Sequence, residues 1–313
     1  MPHTPAIPVN APFPASDNAP VNSALQSYRH PSEHYENFPV ASWFCPPRLR
    51  PPIAAIYWFA RTADDIADEG AADAASRLAD LAQLRDDLQR CSRGEPDSGR
   101  WPDVFGPLAH MIRAFRLPVP LLGRLLDAFE QDVHYTAQAR RYRDDAELLD
   151  YCTRSADPVG RLLLHLYDVH DTVSLQRSDQ ICTALQLINF WQDLRRDIAR
   201  GRWYPSLEQM QRYGVHEVDL QRDAASASAS RMVAAYCVAA RQRMLSGAPL
   251  ARQLPGRAGW ELRLVVQGGL RILDKLAAIH HASWRQRPRI GKADLPLLLW
   301  RACRPPPPPG TVP

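Results

Sequence analysis

The sequence predicts an all-α protein folded as a single helical bundle, and three observations carry that expectation. Apolar residues recur at three- and four-residue spacing in the long stretches. Strand-like alternation of apolar and polar residues is nearly absent, and prolines and glycines gather mainly between the periodic stretches. No solenoid-length repeat is present, which favours one compact bundle over a stacked array.

Residues 1–30 carry scattered prolines that forbid a continuous helix. They have no basic region followed by an apolar one, so they read as a Pro-rich tail rather than a signal peptide. The bundle is expected over 31–303. Ile53 to Phe59 reads as buried helix running into the charged string "RTADDIADEG" (61–70). Further helices are expected in "AASRLADLAQLRDDLQRC" (74–91), "LLGRLLDAFEQDVHY" (121–135), "ICTALQLINFWQDLRRDI" (181–198), "SASRMVAAYCVAARQRML" (228–245) and "WELRLVVQGGLRILDKLAAIHHASW" (260–284). Breaks fall at Pro46–Pro47, Gly94–Pro102, Pro118–Pro120, Gly201–Pro205 and Pro249–Gly259, and none resembles a domain linker. Residues 304–313, with five consecutive prolines, read as a solvated polyproline II tail.

Composition narrows the function. With 45% apolar and 23% charged residues the chain is an ordinary globular protein, and no apolar stretch reaches the roughly 18 residues of a membrane span. The six cysteines are scattered without a CxxC pair, which argues against zinc and a disulfide framework and for a reducing cytoplasm. The net charge of +4 is small and dispersed, unlike the basic stripe of a nucleic-acid binder.

Asp64 and Asp68 stand four apart on one helical face, with Arg61 and Tyr57 on nearby turns. Taken alone, the pair reads as a solvated acidic face. A second pair changes this. Asp193 and Asp197 are again four apart, and Gln186, Asn189 and Arg200 extend the same stripe along an otherwise apolar helix. Such a stripe faces an internal cavity, where unpaired carboxylates must take up protons or find cations. Carboxylates without histidine or thiolate favour Mg²⁺, which shares its coordination with phosphate oxygens. Two such pairs describe a Mg²⁺ clamp for a diphosphate, with Arg48, Arg50, Arg61, Arg200 and Arg202 available for the remaining charge. A diphosphate in an apolar chamber suggests ionisation to a carbocation, which aromatic faces such as Phe38, Tyr57, Phe190 and Trp191 would stabilise, although each taken singly reads first as ordinary core. His165 and His170 beside an apolar stretch read first as structural groups.

The strings "PPRLRPPIAAIYWFARTADDIADEG" and "ALQLINFWQDLRRDIARGRWYP" resemble the two aspartate-rich signatures of the squalene and phytoene synthases, and "YCTRSADPVGRLLLHLY" extends the likeness. The resemblance implies an isoprenoid-synthase helical fold with a central cavity, acting on prenyl diphosphates. By position it implies Mg²⁺ ligation by Asp64, Asp68, Asp193 and Asp197, phosphate contacts from Arg61 and Arg48, and closure by Arg202 and Tyr204. It leaves Asp65 and Glu69 in support. Gln186 and Asn189 either line the site or satisfy one another in the core, Phe38 is a further substrate-binding candidate, and His165 is a candidate cavity residue.

Within that family, "HYENFPVASWFCPPRLRPP", "SADPVGRLLLHL" and "RPRIGKADLPLLLWRA" resemble the bacterial branch that forms hydroxysqualene on the route to squalene and hopanoids. That branch implies ionisation of presqualene diphosphate, rearrangement, and capture by water, with no NADPH. Partner enzymes would make presqualene diphosphate and reduce hydroxysqualene, and transient contact with the inner surface of the cytoplasmic membrane is expected of an enzyme handling long hydrocarbons. Two departures from the condensing members support the branch: Tyr35 to Phe38 stand where those carry a serine motif, and Arg154 stands where they carry a tyrosine. Pro205–Ser206 replaces the usual leucine-proline, a change expected at the closing loop. A condensing synthase and a non-catalytic assembly factor of the same fold are the competing readings.

Overall fold

The computed structural model describes residues 45–304. The two Pro-rich tails (apart from Arg304), Phe38 and the Tyr35–Phe38 departure lie outside the described residues. A short 3-10 turn at Pro47–Leu49 leads into fourteen α-helices. They are α1 (Arg50–Asp68), α2 (Ala74–Arg93), α3 (Pro102–Phe115), α4 (Val119–Ala137), α5 (Asp145–Ser155), α6 (Asp157–Leu166) and α7 (Thr172–Gln192), followed by α8 (Leu194–Ala199), α9 (Leu207–Tyr213), α10 (Glu217–Gln221), α11 (Ala227–Gly247), α12 (Leu250–Gln253), α13 (Gly256–Ala278) and α14 (Leu295–Cys303). No strand occurs among the described residues.

Local chemistry sets several boundaries. Asp73, Asp144 and Asp171 cap α2, α5 and α7 by accepting from the backbone N–H three residues on. Gly94 closes α2 at φ 75°, the left-handed conformation glycine adopts most readily. Ser206 caps α9, donates to Asp145 at 2.7 Å and receives the Gln209 N–H. The replacement at the closing loop therefore has a structural use.

Two expected runs divide. The run over 181–198 breaks at Asp193, which ends α7 and begins α8 at φ −101°, ψ 11°. The Asp197 N–H still reaches the Asp193 carbonyl at 3.0 Å, so the two carboxylates keep near-helical spacing across the break. The run over 260–284 is helical only to Ala278; His280 and His281 then take positive φ. That turn returns Trp284 to the core, where its indole donates to the Ala224 carbonyl.

Two apolar clusters form the interior. One is built from α1 to α4 with part of α6 and centres on Phe59, Phe105 and Leu122. The other gathers around α7, α11 and α13, with Trp191, Tyr236 and Met244 among its members. The α7–α11 pairing is the most extensive among the described helices and needs Gly247, because a Cβ there would meet the Arg177 carbonyl at 2.5 Å and Ile181 at 2.6 Å. The backbone carbonyl cannot rotate away. Gly247→Ala is expected to lower unfolding free energy by about 1–3 kcal/mol in urea titrations.

Candidate active site between the aspartate-bearing helices

Asp64 and Asp68 occupy the last turns of α1, and both are half-buried or more. Arg61, one turn earlier, bonds Asp64 at 3.1 Å, Asp65 at 2.6 Å and Glu69 at 2.8 Å. Asp65 and Glu69 thus share the arginine that meets Asp64, which is a supporting position. Asp68 is ion-paired with Arg202, from the segment after α8, and the same guanidinium lies 4.0 Å from Asp132 of α4. Asp193 is ion-paired with Arg287, from the segment between α13 and α14, with Nη2 at 3.1 Å from Oδ2.

Asp132 joins the two halves. It is buried, accepts a hydrogen bond from the Tyr151 hydroxyl at 2.7 Å, and feels repulsion from both Asp64 and Asp197. Burial and then that repulsion, against the Tyr151 bond, raise its carboxyl to about 7. Asp197 is raised to about 8, by burial first and then by Asp193. Burial also raises Asp64, against the pull of Arg61 and Arg202. Five carboxylates from α1, α4 and the α7–α8 junction therefore share one electrostatic neighbourhood.

Aromatic side chains wall it. Tyr204 stacks on Phe190 at 3.6 Å between ring centres, and Tyr142 and Tyr151 lie 6.3 and 6.4 Å from Tyr204. All four are buried. Tyr204 feels the charges of Asp132, Arg202, Asp197 and Asp64, so it lies in the same electrostatic neighbourhood as the carboxylates. Trp191 turns away, stacking on Tyr236 at 3.9 Å within the core.

The other candidates separate. Gln186 and Asn189 are part-exposed on α7 and make no side-chain hydrogen bond among the described residues, so they do not satisfy one another. Arg200 is exposed, and its charge acts on Asp64 and Asp197. Arg48 corrects the expectation. It lies in the turn before α1, sixteen residues from Asp64, about 24 Å along a helical axis. Its charge acts on Tyr167, and it is not gathered with the carboxylates. Arg50 likewise faces the other end, donating to the Cys45 carbonyl. His165 is bonded through Nε2 to the Phe115 carbonyl at 2.9 Å, the structural role its apolar setting suggests.

Asp132, Tyr151 and Arg287 are the site residues that sequence reasoning missed. Asp132 had a signal: it falls on the apolar face of α4, in register with the buried Leu125, Leu126 and Ala128. Arg287 opens the string "RPRIGKADLPLLLWRA" that carries part of the resemblance, but its segment has no periodicity to mark it as a partner of Asp193.

The donor set consists of carboxylate oxygens alone, and burial followed by the repulsion of neighbouring carboxylates raises Asp132 and Asp197, so the residues suit a hard divalent cation. No cage of three acidic, histidine or cysteine residues is preformed among the described residues. Arginines hold Asp68 and Asp193 instead, and a cation would take these carboxylates from them.

Comparisons with known proteins bear on the family and the fold. The family profile of squalene/phytoene synthase matches residues 32–294. The chain is 41% identical to the hydroxysqualene synthase of Zymomonas mobilis over 61% of each chain, so the match spans less than two thirds of that relative. It is 34% identical to the hydroxysqualene synthase of Rhodopseudomonas palustris, over 77% of this chain and 79% of the relative. In structure it superposes on squalene synthase HpnC from Alicyclobacillus acidocaldarius with a TM-score of 0.70 at 34% identity, covering 79% of this chain and 90% of the other.

Proposed function

The chain belongs to the squalene/phytoene synthase family, and on that premise we propose that it converts presqualene diphosphate to hydroxysqualene and diphosphate with Mg²⁺. The carbon–oxygen bond to diphosphate breaks with both electrons leaving on oxygen. The cyclopropylcarbinyl cation rearranges, and water adds to it and loses one proton. Because water rather than hydride ends the reaction, no nicotinamide cofactor is required.

Asp64, Asp68, Asp193 and Asp197 would hold the metal, whose charge would stabilise the departing diphosphate. Arg61 and Arg202 supply guanidinium groups to phosphate oxygens. The stacked Phe190 and Tyr204 rings exclude bulk water and present π-faces to a cation.

The observation that carries the choice within the family is Arg154. It pairs with Asp150 at 2.6 Å, and its charge reaches Asp132. A cation there, in place of the tyrosine the condensing members carry, suits an enzyme relieved of the first condensation. The second reading is condensation of two prenyl diphosphates, favoured by 28% identity to the presqualene diphosphate synthase of Rhodopseudomonas palustris. Product analysis after incubation with Mg²⁺ decides between them. Hydroxysqualene is expected from presqualene diphosphate and nothing from farnesyl diphosphate; product from farnesyl diphosphate alone would overturn the assignment.

A further inference from the structure

No described helix is long and apolar enough to cross a membrane, yet α14 leaves a large apolar face uncovered among the described residues. Leu295, Leu299 and Trp300 are 52%, 51% and 51% exposed. Pro296 and Cys303 are exposed as well, and at about 100° per residue the five side chains fall within an arc of about 140°. Leu298 and Ala302, on the other side, anchor the helix to the body.

Beside this face runs a cleft between α12, α13 and α14 lined by Arg252, Arg263, Arg301 and Arg304. Among the described residues only Arg301 has a carboxylate partner there, Asp274 at 2.8 Å. Arg263 donates to the Ala251 carbonyl, and neither Arg252 nor Arg304 forms an ion pair among the described residues. Arg304 lies 3.8 Å over the Trp300 ring, and Arg263 lies 5.3 Å over Trp260, itself 36% exposed. Two exposed tryptophans thus each carry an arginine that lines the same cleft.

We propose that this corner of the molecule docks on an anionic phospholipid bilayer, with Leu295, Leu299 and Trp300 entering the boundary between headgroups and acyl chains and the cleft arginines meeting lipid phosphates. The charge selects the occupant. An apolar face alone would suit many partners, but one rimmed by uncompensated guanidinium groups needs a dense negative surface. A second copy would bring the same arginines against these and repel. Residues 305–313 contain no acidic side chain to neutralise the cleft. Tryptophan with arginine over its ring has the apolar body and polar edge suited to headgroup depth. The surface does not depend on the reaction proposed above.

The test is flotation of the full chain with phosphatidylcholine vesicles, with and without about a third phosphatidylglycerol, alongside labelling of Cys303, the one fully exposed cysteine, by a water-soluble maleimide. The wild type is expected to float with the anionic vesicles and to be released as salt rises from about 0.15 M to about 1 M. Leu299→Glu/Trp300→Glu should cut partitioning about tenfold or more, and Arg252→Glu/Arg304→Glu about fivefold or more for each charge reversed. Both pairs replace exposed side chains, and unchanged circular dichroism verifies their fold. Cys303 should label rapidly without lipid and slowly on anionic vesicles. Failure of the wild type to float, or flotation untouched by both double variants, overturns the proposal. Slow labelling of Cys303 without lipid also overturns it and assigns the face to residues 1–44 or to a second copy.

Discussion

Asp64→Asn is expected to lower turnover by on the order of 10²–10³-fold or more while leaving the protein as stable as the wild type, or slightly more so. The stability half follows from the surroundings of Asp64. Burial raises its carboxyl because ionisation there is costly, and Arg61 retains Asp65 and Glu69 as partners when Asp64 is neutralised. The activity half follows from the proposed Mg²⁺ ligation, which an amide oxygen without charge supports poorly. Asp193→Asn is a deliberate contrast. It should lose turnover as severely but also cost about 1–2 kcal/mol, because it breaks the pair with Arg287. Steady-state assays beside thermal melts separate the effects. If Asp64→Asn unfolds the protein, or keeps near-normal turnover, the carboxylate serves the fold rather than the chemistry.

In enzyme stripped of divalent metal by chelator, stability is expected to fall as pH rises from about 5 to about 8, and Asp197→Asn should flatten that slope. Asp197 has a folded value of about 8 against an ordinary 3.8. Across that window the folded chain keeps a proton that the unfolded chain has released. Folding therefore loses stability with each step upward in pH, and the loss is complete above the folded value. Asp132, raised to about 7, acts in the same direction, so the variant keeps part of the slope. The two melting temperatures should converge as pH falls toward about 4, near the ordinary carboxylate value, where Asp197 is protonated in both states. Near pH 8.5 the variant should melt higher, by about 2–4 °C for each kcal/mol of burial and repulsion penalty removed. Added Mg²⁺ should raise the melting temperature of the wild type more at pH 8.5 than at pH 6 and do little for the variant. A wild type whose stability rises over this range would refute the account.

Periodicity made the helices legible, because an amphipathic or buried helix writes its period into the chain. It also carried both aspartate pairs, since Asp64 and Asp68 share a regular helical face. It failed where geometry departs from the ideal helix or where contacts come from far away. The break at Asp193 is invisible in a string that keeps its apolar spacing, and the end of α13 at Ala278 is set by the return of Trp284 to the core. Arg48 illustrates a different limit: proximity in sequence to a signature says little about space when the signature carboxylates sit at the far end of a nineteen-residue helix. Asp132 was overlooked because a single carboxylate has no spacing partner to announce it. The arginines that hold Asp68 and Asp193 were only half legible: both stand in strings that carry the resemblance, but only for Arg202 did the resemblance imply a role.

The pairing of Arg287 with Asp193 also bears on the order in which the site comes into being during synthesis. The partners are separated by 94 residues, with α11 and α13 between them. A growing chain therefore exposes its acidic junction well before the guanidinium that neutralises it has been made. Closing so long a loop is among the slower events of folding. The Asp193 and Asp197 carboxylates of an unfinished chain would stay hydrated and mutually repelling, and the Asp193 side of the chamber would be latched only once nearly the whole protein has been translated. A nascent chain stalled before residue 287 would then be a folded bundle with an unlatched centre, recognisable by fast hydrogen exchange at the α7–α8 junction.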